Sequence, residues 1–483
     1  MLSLILIPLV MAIIFVVVPT PLFKNLPPGP RLPPPIWSNR KDLARELGKW
    51  HKTHGPIVAH QFGSRVFISL GSFEAIRELL CERAENYAPR PFSVVGKYFT
   101  QDYHPALLRD PKRAEAYDRI LWALLQETDA LQRHEELEHA ESMRLMQTLL
   151  RSRGMDLSTV LHRHAYSLTW ALGFGDRLLS TDDERYREIA RIRAQLKHAS
   201  EFPIVSHIEM LPILDRIPFA FAPWKWIGYI HFVQSSSFYN KYAEEALEKR
   251  GWNWIKAARK FNCDQELGLS DTEIAFLIGS LVEMSTINAE ILGNCILAAV
   301  THSDAVKKAK QELDEVVGTE RLPAIEDEPY LPIVRVFVYE VLRWKPVTAL
   351  GVPQLASADD EYMGYTIPKG STILVSGQAA THDNTKFEDP DSFRPERWLE
   401  ILAHPQADLG SLSFAFDELV STTQLLTGPS LMLNVARILW GFDLEHAGGI
   451  EISEAIPLEG WLGPRSAKHC RVFEHLDIKA RRR

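Results

Sequence analysis

The spacing of apolar residues predicts a chain that is mostly helical, with a small β region near its start. Residues 42–54 and 72–87 carry apolar side chains at helical spacing, and residues 129–153 form a longer, charged amphipathic pattern. Residues 57–70 are rich in β-forming types and are interrupted by Gly63. We therefore expect a helix-dominated fold with a few strands ahead of the main helical part.

The clearest helix start lies at residues 270–273, whose sequence Ser-Asp-Thr-Glu is that of a capping box. Ser270 can accept a hydrogen bond from a first-turn N–H, and Glu273 can reach back to the start of the helix. The apolar run that follows continues to about Thr301. We expect one long helix that is buried on most sides.

The N-terminal sequence predicts a membrane anchor followed by a stiff spacer. Residues 2–23 form a nearly uncharged apolar run of about the length that crosses a bilayer. The run opens without a basic region and has no clear cleavage site, which favours a retained anchor over a cleaved signal peptide. The prolines of the LPPGP stretch that follows exclude a helix there. We predict a transmembrane signal anchor at residues 1–24, a proline-rich spacer at residues 25–35 and one domain at residues 36–483.

Charge and cysteine content exclude some classes of function. The 483 residues carry a formal net charge of -8, which argues against a nucleic-acid-binding surface. The four cysteines are scattered without metal-ligand spacing, which suits a reducing compartment. Residues 217–233 are rich in aromatic side chains and poor in charge. They are compatible both with a membrane-facing lipophilic entrance and with ordinary core packing.

The second half of the chain contains an ordered set of motifs. Glu340 and Arg343 lie one helical turn apart, where a carboxylate and a guanidinium can pair. Three further motifs follow: GYTIPKG at 364–370, THD at 381–383 and FRPERW at 393–398. In order and spacing, and together with the anchor and the LPPGP spacer, this set resembles the fungal microsomal cytochrome P450 family over nearly the whole chain. The resemblance implies that fold, with Glu340, Arg343 and Arg397 as its structural triad.

The loop that would hold a haem departs from the family pattern. Ser421 stands where the resemblance places the ligand cysteine, and a serine hydroxyl stays protonated at neutral pH. Positions that contact the haem propionates in the family are occupied by Ala114, Asp118 and Leu355. An aspartate in place of an arginine turns attraction for a propionate into repulsion. We therefore predict that the chain is a divergent member without haem, and that it has no other cofactor and no metal.

The same resemblance identifies candidate site residues. The oxygen-activating groove of the family aligns with residues 284–289, and its acid and threonine are absent. Without haem this region would be a lipophilic cavity, whose substrate-binding candidates are Met284, Asn288, Val352 and Ser421. The catalytic candidates are Glu283, Asn288, Asp118 and His382. Glu283 is equally compatible with a packed, hydrogen-bonded acid, and His382 with a structural motif.

Three functions stay open at this point. The first is a haem-independent enzyme of fungal secondary metabolism that promotes a redox-neutral cyclisation, Diels-Alder-type cycloaddition or rearrangement of a lipophilic intermediate. The second is a catalytically inactive scaffold or substrate-binding protein that works beside biosynthetic monooxygenases. The third is a cytochrome P450 monooxygenase with an atypical haem site. For each function we expect the protein to be located at the endoplasmic reticulum membrane, with its globular domain on the cytosolic side.

Overall fold

The described chain is built mainly from helices, which confirms the predicted fold class. The structure is a computed structural model, and it describes residues 23–30, 40–62, 65–126, 128–151, 156–201, 205, 208–209, 212–347, 350–402, 423–444 and 462–480. The α-helices of these residues are α1 Arg40–His54, α2 Phe73–Ile76, α3 Ala84–Tyr87, α4 Pro111–Gln126, α5 Thr128–Arg151, α6 Leu157–Phe174, α7 Glu184–Glu201, α8 Pro223–Glu248, α9 Trp254–Asp264, α10 Asp271–Met284, α11 Thr286–Thr301, α12 Ser303–Val316, α13 Pro332–Trp344, α14 Gly377–Thr381, α15 Arg397–Leu402, α16 Thr423–Gly441 and α17 Ala467–Ala480.

The small β region is one four-stranded sheet and two ribbons within the described residues. The strands are β1 Ile57–Phe62, β2 Arg65–Leu70, β3 Gln354–Leu355, β4 Asp360–Tyr362, β5 Tyr365–Ile367, β6 Thr372–Val375, β7 Phe442–Leu444 and β8 Leu462–Pro464. The sheet order is β1-β2-β6-β3, with β2 and β6 parallel and the other pairs antiparallel. The predicted β segment at residues 57–70 is therefore the hairpin β1–β2, and a distant part of the chain completes the sheet.

The helical pattern at residues 72–87 does not form one helix. Ser72 caps α2, the next residues form a π-helical turn at Arg77–Glu82, and α3 begins after Arg83. Arg83 adopts φ -112° and ψ 28°, which is outside the helical range and ends the turn. Apolar spacing alone could not reveal this interruption, because the buried side chains keep their spacing across it.

The long apolar helix starts as predicted but is divided in two. The capping box forms as expected, since Ser270 accepts from the Glu273 N–H and Glu273 accepts from the Ser270 N–H. Helix α10 ends at Met284 and α11 begins at Thr286. The Ser285 hydroxyl donates to the Val282 carbonyl at 2.7 Å and the Thr286 hydroxyl to the Glu283 carbonyl at 2.9 Å. These bonds compete with the helical ladder, which explains the tightened turn between the two helices.

Together, the residues of α10 and α11 are long and apolar enough to pass as a membrane span. The structure instead buries 72% of their most apolar window inside the protein, so they form a core element. Helix α10 belongs to a core cluster with α4, α6 and α8, and α11 belongs to another with α5, α13 and α16. The helix pair thus connects the two helical cores of the described chain.

The predicted anchor and most of the predicted spacer lie outside the described residues, except for residues 23–30. In that stretch the Pro28 carbonyl accepts from the Ala59 N–H at 3.0 Å, and the Asn25 carbonyl accepts from the Thr366 N–H at 2.8 Å. A Cβ atom on Gly29 would lie 1.8 Å from the Ala59 carbonyl oxygen. The glycine of the LPPGP stretch therefore allows the chain to approach β1 closely.

A buried ion-pair network joins α13 to α15. Both oxygens of the fully buried Glu340 accept from Arg343, at 2.7 Å and 2.9 Å. Arg397 Nε lies 3.2 Å from the same carboxylate, and Trp398 Nε1 donates to it at 2.8 Å. The remaining Arg343 donor, Nη1, bonds the carbonyls of Thr381 and Pro390 at 3.1 Å and 2.6 Å. The structure thus brings together the three residues that the resemblance assigns to a structural triad.

Arg343→Ala should strongly destabilise the fold. The variant leaves the Glu340 charge and two carbonyls buried without their donor, which costs about 3 to 5 kcal/mol for a buried pair. Arg335→Ala on the same helix is the matched control, because Arg335 is half-buried and pairs with Glu328 at 3.4 Å. Arg335→Ala should lower the free energy of unfolding by about 1 kcal/mol or less. Urea unfolding of the detergent-solubilised proteins measures both, and equal midpoints for the two variants would contradict the role given to the network.

Candidate functional site

Met284 and three residues of α11 form a partly accessible row on the helix pair, on which Glu290, Gly293 and Asn294 are half-buried as well. Met284, Ile287, Asn288 and Ile291 are half-buried, whereas their neighbours Ser285, Thr286, Ala289 and Leu292 are buried. The four half-buried residues follow the spacing i, i+3, i+4 and i+7, so they share one side of the helix. Two of the predicted substrate-binding residues, Met284 and Asn288, therefore lie together on this face.

The side chain of Glu283 does not lie on the face that carries Met284 and Asn288. Tyr239 on α8 donates a hydrogen bond to Glu283 Oε1, and the carboxyl group is buried. Burial raises the pKa of Glu283 to about 7, while the Tyr239 hydrogen bond and the charge of Arg193 act in the opposite direction. At 100° per residue, Glu283 lies about 140° around the helix from Asn288. The structure thus separates two of the predicted catalytic residues.

The contact with Tyr239 depends on close packing of α8 against α10. Gly279 lies one turn before Glu283, and a Cβ atom there would come within 2.4 Å of the Tyr239 ring. The ring can therefore lie directly against the helix backbone and present its hydroxyl to Glu283. Burial and the Glu283 carboxyl group both raise the pKa of Tyr239, so the phenol stays protonated and remains the donor. The described geometry places Glu283 as a link between helices.

Asp118 belongs to a second group, at the loop before β3. Its residue is exposed; desolvation raises its pKa and the charge of Arg90 lowers it. Arg90 Nη1 lies 3.4 Å from the Val352 carbonyl oxygen and 3.5 Å from that of Pro353. The predicted residues Asp118 and Val352 are therefore neighbours of one guanidinium. No described hydrogen bond or ion pair joins this group to Asn288.

Sequence reasoning missed Arg90 because it lies outside every motif. It stands in the segment between α3 and the π-helical turn Val95–Phe99, and only the folded chain brings it to the loop before β3. The signal in the sequence was an unassigned arginine between two prolines, Pro89 and Pro91.

His382 follows Thr381, whose carbonyl accepts a hydrogen bond from Arg343 of the buried network. Its Nδ1 lies 3.0 Å from the Thr381 hydroxyl and 3.2 Å from the Gln378 carbonyl oxygen. Desolvation lowers the pKa of His382, and the nearby charge of Arg343 lowers it further. This position favours the structural alternative for His382. Ser421 lies in residues 403–422, outside the described residues, as does the predicted haem loop at 414–423 except for its last residue, Thr423.

Comparisons with known proteins were made for the whole chain. A family model for cytochrome P450 matches residues 26–415. Cytochrome P450 monooxygenase FrzL of Cladobotryum sp is 33% identical, over 87% of this chain and 81% of its own length. Cytochrome P450 monooxygenase peniB of Penicillium patulum is 30% identical, over 94% of this chain and 88% of its own. A solved zebra fish cytochrome P450 with abiraterone covers 88% of this chain at a TM-score of 0.68 and 20% identity, which shows the fold alone.

These matches overturn the prediction that the chain has no cofactor. The matched family consists of haem proteins, and the similar curated proteins are named as cytochrome P450 monooxygenases. The prediction gave too much weight to a few substituted contacts and too little to the resemblance of the whole chain. Haem was therefore wrongly excluded.

The described residues fit one part of a haem. Haem propionates need cationic or hydrogen-bonding partners, and Arg90 provides a guanidinium beside the loop that leads to Leu355. Arg90 would hold a propionate there, and the iron of a bound haem would supply redox chemistry. None of the four cysteines of the sequence stands at the position of Ser421.

Glu283→Gln should change how stability depends on pH. The folded-state pKa of Glu283 lies above its ordinary value, so its contribution to stability is complete at low pH and is lost as the pH rises through about 7. Between pH 5 and 8 the wild type should lose up to about 3 kcal/mol more than Glu283→Gln, which keeps a polar partner for Tyr239. Urea unfolding at several pH values measures this difference.

The control for this measurement is Glu290→Gln. Glu290 lies on α11 and pairs with Arg193 at the surface, at 2.7 Å. This variant should follow the wild type over the whole pH range. Parallel curves for wild type and Glu283→Gln would show that Glu283 is not held in the buried, proton-retaining position described here.

Proposed function

Because the chain belongs to the cytochrome P450 family, we propose that it is a tailoring enzyme of fungal secondary metabolism that converts a lipophilic small-molecule intermediate. The observation that carries the proposal is the partly accessible face of α10 and α11. Met284, Ile287, Asn288 and Ile291 lie along one line on this face. Of these, Ile291 also packs against the core cluster of α11.

The chemistry of this face favours an apolar ligand with few polar groups. Met284, Ile287 and Ile291 are apolar, and Asn288 adds one amide that can both donate and accept. By family position Val352 adds a further apolar side chain to the same cleft. Burying apolar ligand surface here would contribute about 25 cal/mol for each Å² removed from water. We take Met284, Asn288 and Val352 as the substrate-binding residues, with Asp118 and Arg90 at the edge of the cleft.

The reaction we favour is a redox-neutral ring closure, cycloaddition or rearrangement. The residues that align with the acid and threonine of the oxygen-activating groove are Ile287 and Asn288. An apolar wall can hold two reacting ends together, which lowers a barrier by up to about 7 to 11 kcal/mol. The Asn288 amide is suited to polarise a carbonyl group next to the reacting atoms. These contributions come from the chain's own residues.

Monooxygenation is the second candidate, because similar curated proteins carry that name. FrzL and peniB are both named cytochrome P450 monooxygenases, and Fumitremorgin C synthase of Neosartorya fischeri is 29% identical over 93% of this chain. The two candidates differ in their need for oxygen and electrons. A third possibility, a scaffold without turnover, differs from both because it binds the intermediate without changing it.

The deciding experiment incubates the purified full-length protein with the intermediate that accumulates in a deletion strain. The incubation is run with and without oxygen, NADPH and a reductase. A product of unchanged mass that forms without oxygen supports the redox-neutral reaction. A product that is one oxygen atom heavier and forms only with oxygen and reductase would contradict the redox-neutral reaction and identify monooxygenation instead. Binding without any product contradicts enzymatic function.

Asn288→Trp should block binding of this intermediate. The indole would fill the accessible face between Met284 and Ile291, so the dissociation constant should rise about tenfold or more, equivalent to about 1.4 kcal/mol. Glu290→Trp is the matched control, because it adds the same bulk to the surface position beside Arg193. Equilibrium dialysis measures both variants. Equal affinities would place the binding site elsewhere.

We also propose that the start of α8 touches the cytosolic face of the endoplasmic reticulum membrane. Phe221 is 76% exposed, and Trp226, Tyr229, Ile230 and Val233 are exposed along the following turns. Aromatic side chains are well suited to the boundary between lipid and water. The apolar run at residues 2–23, outside the described residues, would anchor the chain to the same membrane.

Quenching by brominated phosphatidylcholine tests this contact in reconstituted full-length protein. If Trp226 reaches the acyl chains, Trp226→Phe should remove a measurable share of the quenched tryptophan emission. Trp122→Phe is the control, since Trp122 on α4 is also exposed, at 52% against 44% for Trp226. Equal loss of quenching in both variants would contradict the proposed orientation.

A further inference from the structure

A buried cluster of polar side chains lies between α5 and α16, outside the site described above. Glu138 on α5 is 1% exposed, and Asn434 and Arg437 on α16 are fully buried. Apolar residues of the same two helices, such as Leu145 and Val435, belong to one core cluster. Polar groups in such surroundings need hydrogen-bond partners, because removing them from water is costly.

Direct bonds between the two helices satisfy one side of the Glu138 carboxylate. Its Oε1 accepts from the Ser430 hydroxyl at 2.7 Å and from Asn434 Nδ2 at 3.2 Å. Asn434 Nδ2 also donates to the Ser430 carbonyl at 2.7 Å. Because both of these partners accept, the amide nitrogen is assigned to this side and Oδ1 to the other.

Arg437 brings a guanidinium to the same place. Its Nε donates to the Pro323 carbonyl and its Nη2 to His139 Nδ1, both at 2.9 Å. His139 is the next residue after Glu138 on α5, and Arg437 lies one turn after Asn434 on α16. Burial raises the pKa of Glu138 to about 7, whereas the Ser430 hydrogen bond and the charge of Arg437 act in the opposite direction. The carboxylate and the guanidinium therefore interact within the cluster.

Three polar atoms of this cluster are buried without a hydrogen-bond partner among the described residues: Glu138 Oε2, Asn434 Oδ1 and Arg437 Nη1. One turn before and after Glu138, His134 Nε2 and Ser142 Oγ are buried in the same state. His134 Nε2 lies 3.7 Å from Glu138 Oε2, which is too long for a hydrogen bond. Of the first three atoms two are acceptors and one is a donor, so a shared partner must donate twice and accept once.

We propose that this cluster binds one water molecule, which donates to Glu138 Oε2 and Asn434 Oδ1 and accepts from Arg437 Nη1. The guanidinium disfavours a cation in this place and the carboxylate disfavours an anion, so the ligand is small and neutral. Buried waters typically make about three hydrogen bonds, to polar groups that the protein itself leaves without a partner. The water links α5 to α16 and is independent of the function proposed above.

The experiment is a crystal structure of the detergent-solubilised full-length protein, at a resolution that shows ordered waters. Crystals are grown in rubidium bromide, because rubidium and bromide scatter anomalously and water does not. Asn434→Leu removes one acceptor of the proposed water. Asn294→Leu is the matched control, because Asn294 on α11 bonds the Lys345 carbonyl at 3.1 Å, outside this cluster.

The expected result is a density peak at about 2.7 to 3.2 Å from each of the three atoms, without anomalous signal. The peak should be lost in Asn434→Leu and retained in Asn294→Leu. An anomalous peak would identify an ion and overturn the assignment of water. Direct bonds from the three atoms to protein groups, without a peak, would overturn the site, and a peak retained in Asn434→Leu would overturn the role of Asn434. If Asn434→Leu does not fold, the wild-type structure alone decides between water, ion and no site.

Discussion

The buried carboxylate of Glu340 is the interaction on which the rest of the described structure depends. It accepts hydrogen bonds from Arg343, one indole and the Arg394 N–H and forms an ion pair with Arg397, in a place that water does not reach. Such a group is stable only when all its partners are present, because an unpaired buried charge is very costly. The network therefore holds α13, α15 and the chain between them in one arrangement.

This network also fixes one edge of the proposed cleft. Arg343 bonds the Thr381 carbonyl at the end of α14, and α14 follows directly on β6. Strand β6 in turn holds the loop before β3, since the Gly351 N–H donates to the Val375 carbonyl at 3.2 Å and Leu350 bridges to Ser376. Val352 is the next residue. A chain of hydrogen bonds thus runs from the buried ion pair to a proposed substrate-binding residue.

The sequence predicted features that depend on neighbouring residues and missed those that depend on the folded chain. The capping box of α10, the β1–β2 hairpin and the Glu340–Arg343 pair are encoded within a few positions, and each is present. The turn at Ser285 arises from two hydroxyl groups that local propensity does not distinguish from ordinary helix residues. The partners of Arg90, the carbonyls of Val352 and Pro353, come from a distant segment. The haem prediction failed for a related reason, because it judged separate contacts without the evolutionary context of the whole chain.

The central claim is that a lipophilic molecule binds on the partly accessible face of α10 and α11. Hydrogen exchange of the full-length protein, with and without the accumulating intermediate, measures this most directly. The account predicts slower exchange at the amides of residues 284–291 when the intermediate is present. Unchanged exchange in this segment, or protection confined to the exposed start of α8, would contradict it.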